Sequence, residues 1–216
     1  MALLPLAVVL QLAAAHAPQV APETIAAFAQ AESALNPYAL YDNTARRSYA
    51  PRTAEDASVL AADLLSRGHS IDTGLMQINS RNFRLVGLNY VTAFDPAQSV
   101  RAAQIILREA YGRCAEQRLT GDPLRCMASI YNTGNHTRGE RNGYVERIYK
   151  AAELLVPAIR KAVGGQAPST APAQSPAASP HGCGPPPPSW DGFARTAHQR
   201  CITNSQLTRK PEKTEP

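Results

Sequence analysis

The chain has no hydrophobic run long enough to cross a bilayer: the uncharged stretch at residues 2–15 (ALLPLAVVLQLAAA) falls short of the ~20 apolar residues a spanning helix needs. It has no Cys-x-x-Cys and no His-Glu-x-x-His, so the common zinc arrangements are excluded and no metal or cofactor is called for. Its 22 basic and 17 acidic side chains leave a net charge of +5 without any dense Lys/Arg cluster, which argues against a nucleic-acid partner. No segment alternates apolar and polar residues convincingly enough to predict a sheet, although residues 38–52 suit a loop or short hairpin. Proline is sparse until Gly164, after which ten of the 18 occur.

What is present suffices for one core. Hydrophobic residues make up 44% of the 216 and charged residues 18%, which supports a globular domain of ordinary size. Apolar periodicity stops near residue 163, so the domain is placed at 16–163, followed by a Pro-rich tail at 164–216. The tail, with four consecutive prolines at 185–188, is expected to be a disordered, extended spacer. Residues 1–15 read as a secretory signal, with a small-x-small site at Ala13-Ala14-Ala15; no positive side chain precedes the apolar stretch. Export is the corresponding expectation, with no stable membrane span after cleavage. Four cysteines fit an oxidising compartment. Cys114 and Cys126 are spaced to close a short loop in the domain, and Cys183 and Cys201 a second one in the tail. The spacing itself leaves the pairing open.

The domain reads as mainly α, its helices set off by proline, glycine and asparagine. Pro22 suits the first position of a helix that ends by Asn36-Pro37. Thr53-x-x-Asp56 resembles a capping box for a helix reaching Gly68. Asp95-Pro96 opens another, running to Gly112, and Asp122-Pro123 a fourth that runs into Tyr131-Asn132. The last starts near Asn142, where Pro157 is expected to kink or split it.

One acid stands out. Ile25, Phe28, Ala29 and Glu32 occupy i, i+3, i+4 and i+7, so Glu32 is carried on the apolar face of its helix. Desolvation and the negative end of the helix dipole both raise a carboxyl pKa there, and a carboxylic acid still protonated near neutrality can serve as a general acid. A half-exposed glutamate at a frayed helix end, or one paired with an arginine, is the plainer reading. Gln77 and Asn79 are amides among large apolar residues in Gly74-Leu75-Met76-Gln77-Ile78-Asn79; they suit either a cleft that binds sugar hydroxyl and amide groups or a turn satisfied by its own backbone. Tyr131 and Asn132 precede a glycine turn at Gly134, where a phenol and an amide can stack on and hydrogen-bond a sugar.

Glu32-Ser33-x-x-Asn36-Pro37, Gly74-Leu75-Met76-Gln77-Ile78-Asn79, Tyr131-Asn132-x-Gly134 and Gly143-Tyr144-Val145 follow one another in a recognisable order. Over about residues 18–160 the chain resembles the soluble lytic transglycosylase domain, related in fold to goose-type lysozyme. Gly68-His69-Ser70-Ile71-Asp72 ahead of Gly74, together with Phe94-Asp95-Pro96, is most similar to the exported peptidoglycan-cleaving enzymes of type IV secretion and conjugation systems.

The resemblance implies a lysozyme-like helical fold and cleavage of the β-1,4 bond between N-acetylmuramic acid and N-acetylglucosamine, leaving a 1,6-anhydro end. It implies Glu32 as the catalytic acid and then base, and Gln77 and Asn79 in the cleft. Tyr131, Asn132 and Tyr144 would position substrate and acid, while Ser33 would orient Glu32 and pack its motif. Peptidoglycan strands are the implied partner, and secretion-system components a further one through the tail. Asp72 is the candidate second carboxylate; as a turn cap it is inert, but holding a water it would make the enzyme a hydrolase. A non-catalytic envelope scaffold is the remaining alternative. Cysteines belonging to that branch are replaced near His16 or Ala17 and at Ala97, leaving Cys114–Cys126 as the local pairing. Ser129 stands where an alanine-type residue is usual and is expected to matter little, and His69 and His136 read as loop residues rather than proton shuttles.

Overall fold

Helix starts follow local chemistry. In the computed structural model, which describes residues 3–116 and 122–162 together with Cys183 and Ile202, α2 (Pro22–Ser33) has its proline in the first turn, where a missing amide costs nothing. The Thr53 hydroxyl caps α3 (Ala54–Ser66) by accepting from the Asp56 amide at 3.1 Å. The Asp95 carboxylate accepts from the Gln98 amide in the first turn of α5 (Pro96–Glu116), and Asp122 from the Leu124 amide in that of α6 (Pro123–Thr133). A short α4 (Phe83–Val86) and α7 (Arg138–Arg141) precede α5 and α8 (Tyr144–Ala162) respectively.

The domain is mainly α, as its punctuation predicts. Two helices outlast their expected ends. α5 continues through Gly112 to Glu116, and α8 is not split at Pro157. Proline lacks the amide that would bond the Glu153 carbonyl, so the helix continues past it with one hydrogen bond fewer.

A small antiparallel sheet is the main feature that periodicity did not predict. Strands β1 (Leu40–Asp42) and β2 (Arg47–Tyr49) form a hairpin within the 38–52 segment, and β3 (Ile71–Thr73) and β4 (Ile78–Asn79) extend it in the order β2-β1-β3-β4. Strands of two or three residues are too short to show an alternating pattern. The sheet buries Leu40 and Ile71 against Ala57, Ala61 and Leu64 of α3 and Phe94.

The larger core lies between the helices, with α2 packed on α8 and α5 on α6. Phe28, Met76, Leu107, Met127 and Tyr144 are all within 2% of full burial. The segment expected to be an export signal forms α1 (Leu6–His16), which packs on α2 and α5. Val9 and Ala13 on one face of α1, and Ala17 just beyond it, have no exposed surface. Cys114 and Cys126 form a disulfide joining α5 to α6. The Cys183–Cys201 pairing and the tail lie outside the described residues, since Cys201 and nearly all of 163–216 do.

Candidate functional site

The acid is presented by the way α2 ends. Ala34 and Leu35 take left-handed conformations (φ 52° and 65°), and the Leu35 amide returns to the Ala29 carbonyl. Two consecutive non-glycine residues there are costly, by ~1 kcal/mol or more each. They stop the helix directly after Glu32-Ser33, so its last turn opens into a cleft of about 580 Å³. Asn36, buried, caps the ensuing turn by accepting from the Tyr38 amide.

Across from this turn lies the Gly74–Gln77 loop between β3 and β4. Gly74 has φ +74°, and a Cβ on it would sit 2.2 Å from the Ala93 carbonyl oxygen, so no other residue fits. The buried hydroxyls of Thr73 and Ser99 hold the loop, donating to the Ile78 carbonyl and accepting from the Met76 amide. Ser33 Oγ lies 2.8 Å from the Leu75 carbonyl oxygen, tying the end of α2 to this loop. From α6, the Tyr131 hydroxyl donates to the Met76 carbonyl at 2.8 Å while its ring stands edge-on to Phe28.

Glu32 is half-buried in the cleft, and Tyr144, at the start of α8, donates its hydroxyl proton to Glu32 Oε1. Burial is the dominant influence on the carboxyl; it outweighs the Tyr144 bond and the Arg147 charge, is reinforced by Asp72, and raises the pKa from 4.5 to about 7. The phenols of Tyr144 and Tyr131 are pushed well above their ordinary pKa, first by burial and then by Glu32. They therefore remain protonated donors. Asp72 also lines the cleft; burial raises its pKa, opposed by hydrogen bonds from Asn43 and Asn79, the latter at 2.6 Å.

The structure brings the expected residues together in two tiers. Glu32, Gln77, Asn79, Tyr131 and Asn132 line the cleft, whereas Ser33 and Tyr144 stand behind the acid and support it without lining the cavity. Gln77 is at φ 47° and spends its amide on the Ala39 and Gly74 carbonyls, so it shapes the loop with part of its hydrogen-bonding capacity. Asn132 accepts from the Asn142 amide at 2.9 Å. Ser129, expected to be incidental, is buried, donating to the Asn135 carbonyl at 2.6 Å and accepting from the Gly139 amide. It thereby fixes the turn after α6. His69 is bound to Asp42 at 2.7 Å, and neither it nor the exposed His136 lines the cleft.

Several contributors were missed by sequence reasoning. Arg147 lies over the Tyr144 ring at 5.2 Å, and Asn43 reaches the cleft from the β1–β2 turn. Ile106, Glu109, Ala110 and Arg113 form a wall from α5. Their i, i+3, i+4, i+7 spacing was readable, but a mixed polar stripe is ordinarily a solvated helix face.

A buried acid with a phenol behind it, facing amides across a cleft, is an arrangement that known proteins can be compared with. The family described as "Transglycosylase SLT domain" matches residues 10–152. The chain belongs to this family. The match begins within α1 and ends within α8. Protein virB1 of Agrobacterium fabrum is 42% identical over 145 residues, covering 66% of this chain and 58% of that protein. The type IV secretion system protein virB1 of Brucella abortus is 33% identical over 177 residues, covering 76% of this chain and 74% of that protein. The chain thus spans about three fifths of the Agrobacterium relative's length. No solved structure matches the chain. The SLT assignment and the cleft coincide: every cleft-lining residue lies within the matched stretch.

Proposed function

We propose that this chain cleaves peptidoglycan as a lytic transglycosylase, opening the cell wall locally for a type IV secretion or conjugation apparatus. The observation that carries this reading is Glu32: one carboxyl, held near neutral pKa by burial, in a cleft lined with amides and supported by a phenol that only donates. The name of the Brucella relative, type IV secretion system protein virB1, supplies the secretion context. The same reading places the domain in the periplasm, with secretion-system components as partners of residues 164–216.

The chemistry needs one residue acting twice. Protonated Glu32 gives its proton to the glycosidic oxygen as the bond from C1 of N-acetylmuramic acid breaks, and positive charge develops on that sugar. The resulting carboxylate then takes the proton from the C6 hydroxyl of the same sugar as O6 bonds to C1. Glu32 is protonated again, no water is consumed, and the product is a 1,6-anhydro end. Because the nucleophile is tethered to the reacting carbon, no second carboxylate is needed to deliver it. Tyr144 stabilises the carboxylate between the two transfers, and a pKa of about 7 suits both halves of the cycle.

Asp72 favours a second reading, lysozyme-like hydrolysis, because it places another carboxyl in the same cleft. Its two amide partners already occupy it, which weighs against a free base holding water. Mass spectrometry of fragments released from purified peptidoglycan decides between them. Anhydro products, one water lighter than reducing ends and absent with Glu32→Gln, are expected. Reducing ends would replace this reading by the hydrolase, and no release from the native chain would leave the scaffold role.

A further inference from the structure

Three arginines of the cleft have no part in the chemistry just described. Arg81 comes from the turn after β4, Arg113 from the last turns of α5 and Arg138 from the start of α7, yet all three line one cavity. Among the described residues their guanidinium groups have no hydrogen-bond or ion-pair partner. Arg67, Arg125 and Arg108, by contrast, are engaged internally, with Asp63, Glu140 and Gln19.

The acidic side of the cleft does not absorb these charges. Glu32 is held near half-protonation at neutral pH, and Asp72 is taken up by the amides of Asn43 and Asn79. Glu109 remains, against three guanidinium groups. An uncharged sugar polymer presents hydroxyl and acetamido groups, for which the amides of the cleft are suited, but nothing that calls for a planar cation. A guanidinium is matched in shape and charge to a carboxylate, which it binds through paired hydrogen bonds. In a peptide-substituted glycan, carboxylates occur on the peptides and not on the sugars' ring substituents.

We propose that Arg81, Arg113 and Arg138 form a cationic rim that binds carboxylates of the peptides borne by the glycan strand, so that the cleft selects peptide-bearing over bare strands. This rests on the peptidoglycan reading. It assigns the rim to specificity and leaves bond cleavage to Glu32.

The test uses the full chain carrying Glu32→Gln, which holds the substrate uncut, and two probes: glycan strands with their peptides, and the same strands stripped of peptides by an amidase, with the lactyl carboxylates this hydrolysis frees capped as methylamides so that the stripped strand is uncharged. The rim predicts at least tenfold tighter binding to peptide-bearing strands at 50 mM salt, shrinking steeply by 300 mM as charge contacts are screened. Adding Arg81→Gln, Arg113→Gln and Arg138→Gln together is expected to bring the ratio of the two affinities to within about twofold of one. Equal binding of both probes by the parent chain would overturn the rim alone. So would a triple variant, folded by circular dichroism, that keeps the tenfold ratio. Binding to neither probe would overturn the peptidoglycan reading itself.

Discussion

The Tyr144 hydroxyl donates to the Glu32 carboxyl across 112 residues of sequence, joining the last turn of α2 to the first turn of α8. Neither residue is useful in this way alone. The glutamate needs burial to hold its proton, and the phenol needs burial to stay a donor.

Removing that donor should act on the acid specifically. A hydrogen bond to the carboxylate lowers the pKa of Glu32, so Tyr144→Phe is expected to move it above 7. The alkaline limb of the pH–rate profile should shift upward. The maximal rate should fall ~5–30-fold, corresponding to about 1–2 kcal/mol, with little change in KM. A profile left in place would show that Tyr144 serves packing only.

Glu32 also couples stability to pH. Its folded pKa is above the unfolded value, so the folded state binds the proton more tightly, and folding is penalised as pH rises from 4.5 to 7, the full penalty applying above that. At about 1.4 kcal/mol per tenfold difference in proton affinity, the penalty is on the order of 3 kcal/mol. Glu32→Gln should therefore be more stable than the native chain at pH 8 and nearly equal to it at pH 4. Urea unfolding at the two pH values checks this; equal curves at pH 8 would mean the acid is not desolvated in solution.

Asp72→Asn separates electrostatics from catalysis. Asp72 raises the Glu32 pKa through its charge, so its neutral isostere should lower that pKa and move the alkaline limb of the rate profile down. Cleavage at the new optimum is expected within about tenfold of native, since Asn retains an oxygen to accept from Asn79. A loss of a hundredfold or more, the scale for removing a general base, would promote Asp72 to the water-activating role.

Helix α1 offers a fourth test. Starting the chain at His16 removes Val9 and Ala13 from the core and uncovers the faces of α2 and α5 against which they pack. A loss of roughly 3 kcal/mol or more is expected from the side chains removed and the surface exposed. Thermal unfolding of the shortened chain measures it, and the intact mass of chain recovered from the cell envelope reports whether residues 1–15 are retained. An unchanged melting temperature would make α1 dispensable, as an export signal would be.

The helices were legible because their determinants are local. A proline in a first turn, a threonine or aspartate at a cap, and an apolar stripe act over a few residues, and α2, α3, α5 and α6 begin where these place them. Glu32 was legible for the same reason, since its helical face is set by spacing. Of the sheet, the β1–β2 hairpin was one of two readings of residues 38–52, but β3 and β4 were not legible, because such short strands carry no pattern and β3 pairs with β1 from about 30 residues away. The division of labour at the site was legible in part: the resemblance pointed to Ser33 and Tyr144 beside Glu32, and a turn satisfied by its own backbone was one of two readings of Gln77, but nothing local showed that Ser129 fixes the turn after α6.

Spacing thus specified the helices and the face on which the acid sits, because helical geometry repeats within a turn or two. Long-range packing alone decided how deeply Glu32 is desolvated, which phenol reaches it and which arginines share its cleft. Burial and Coulomb interactions depend on distances through space, and those are established only when segments far apart in the chain close around one cavity.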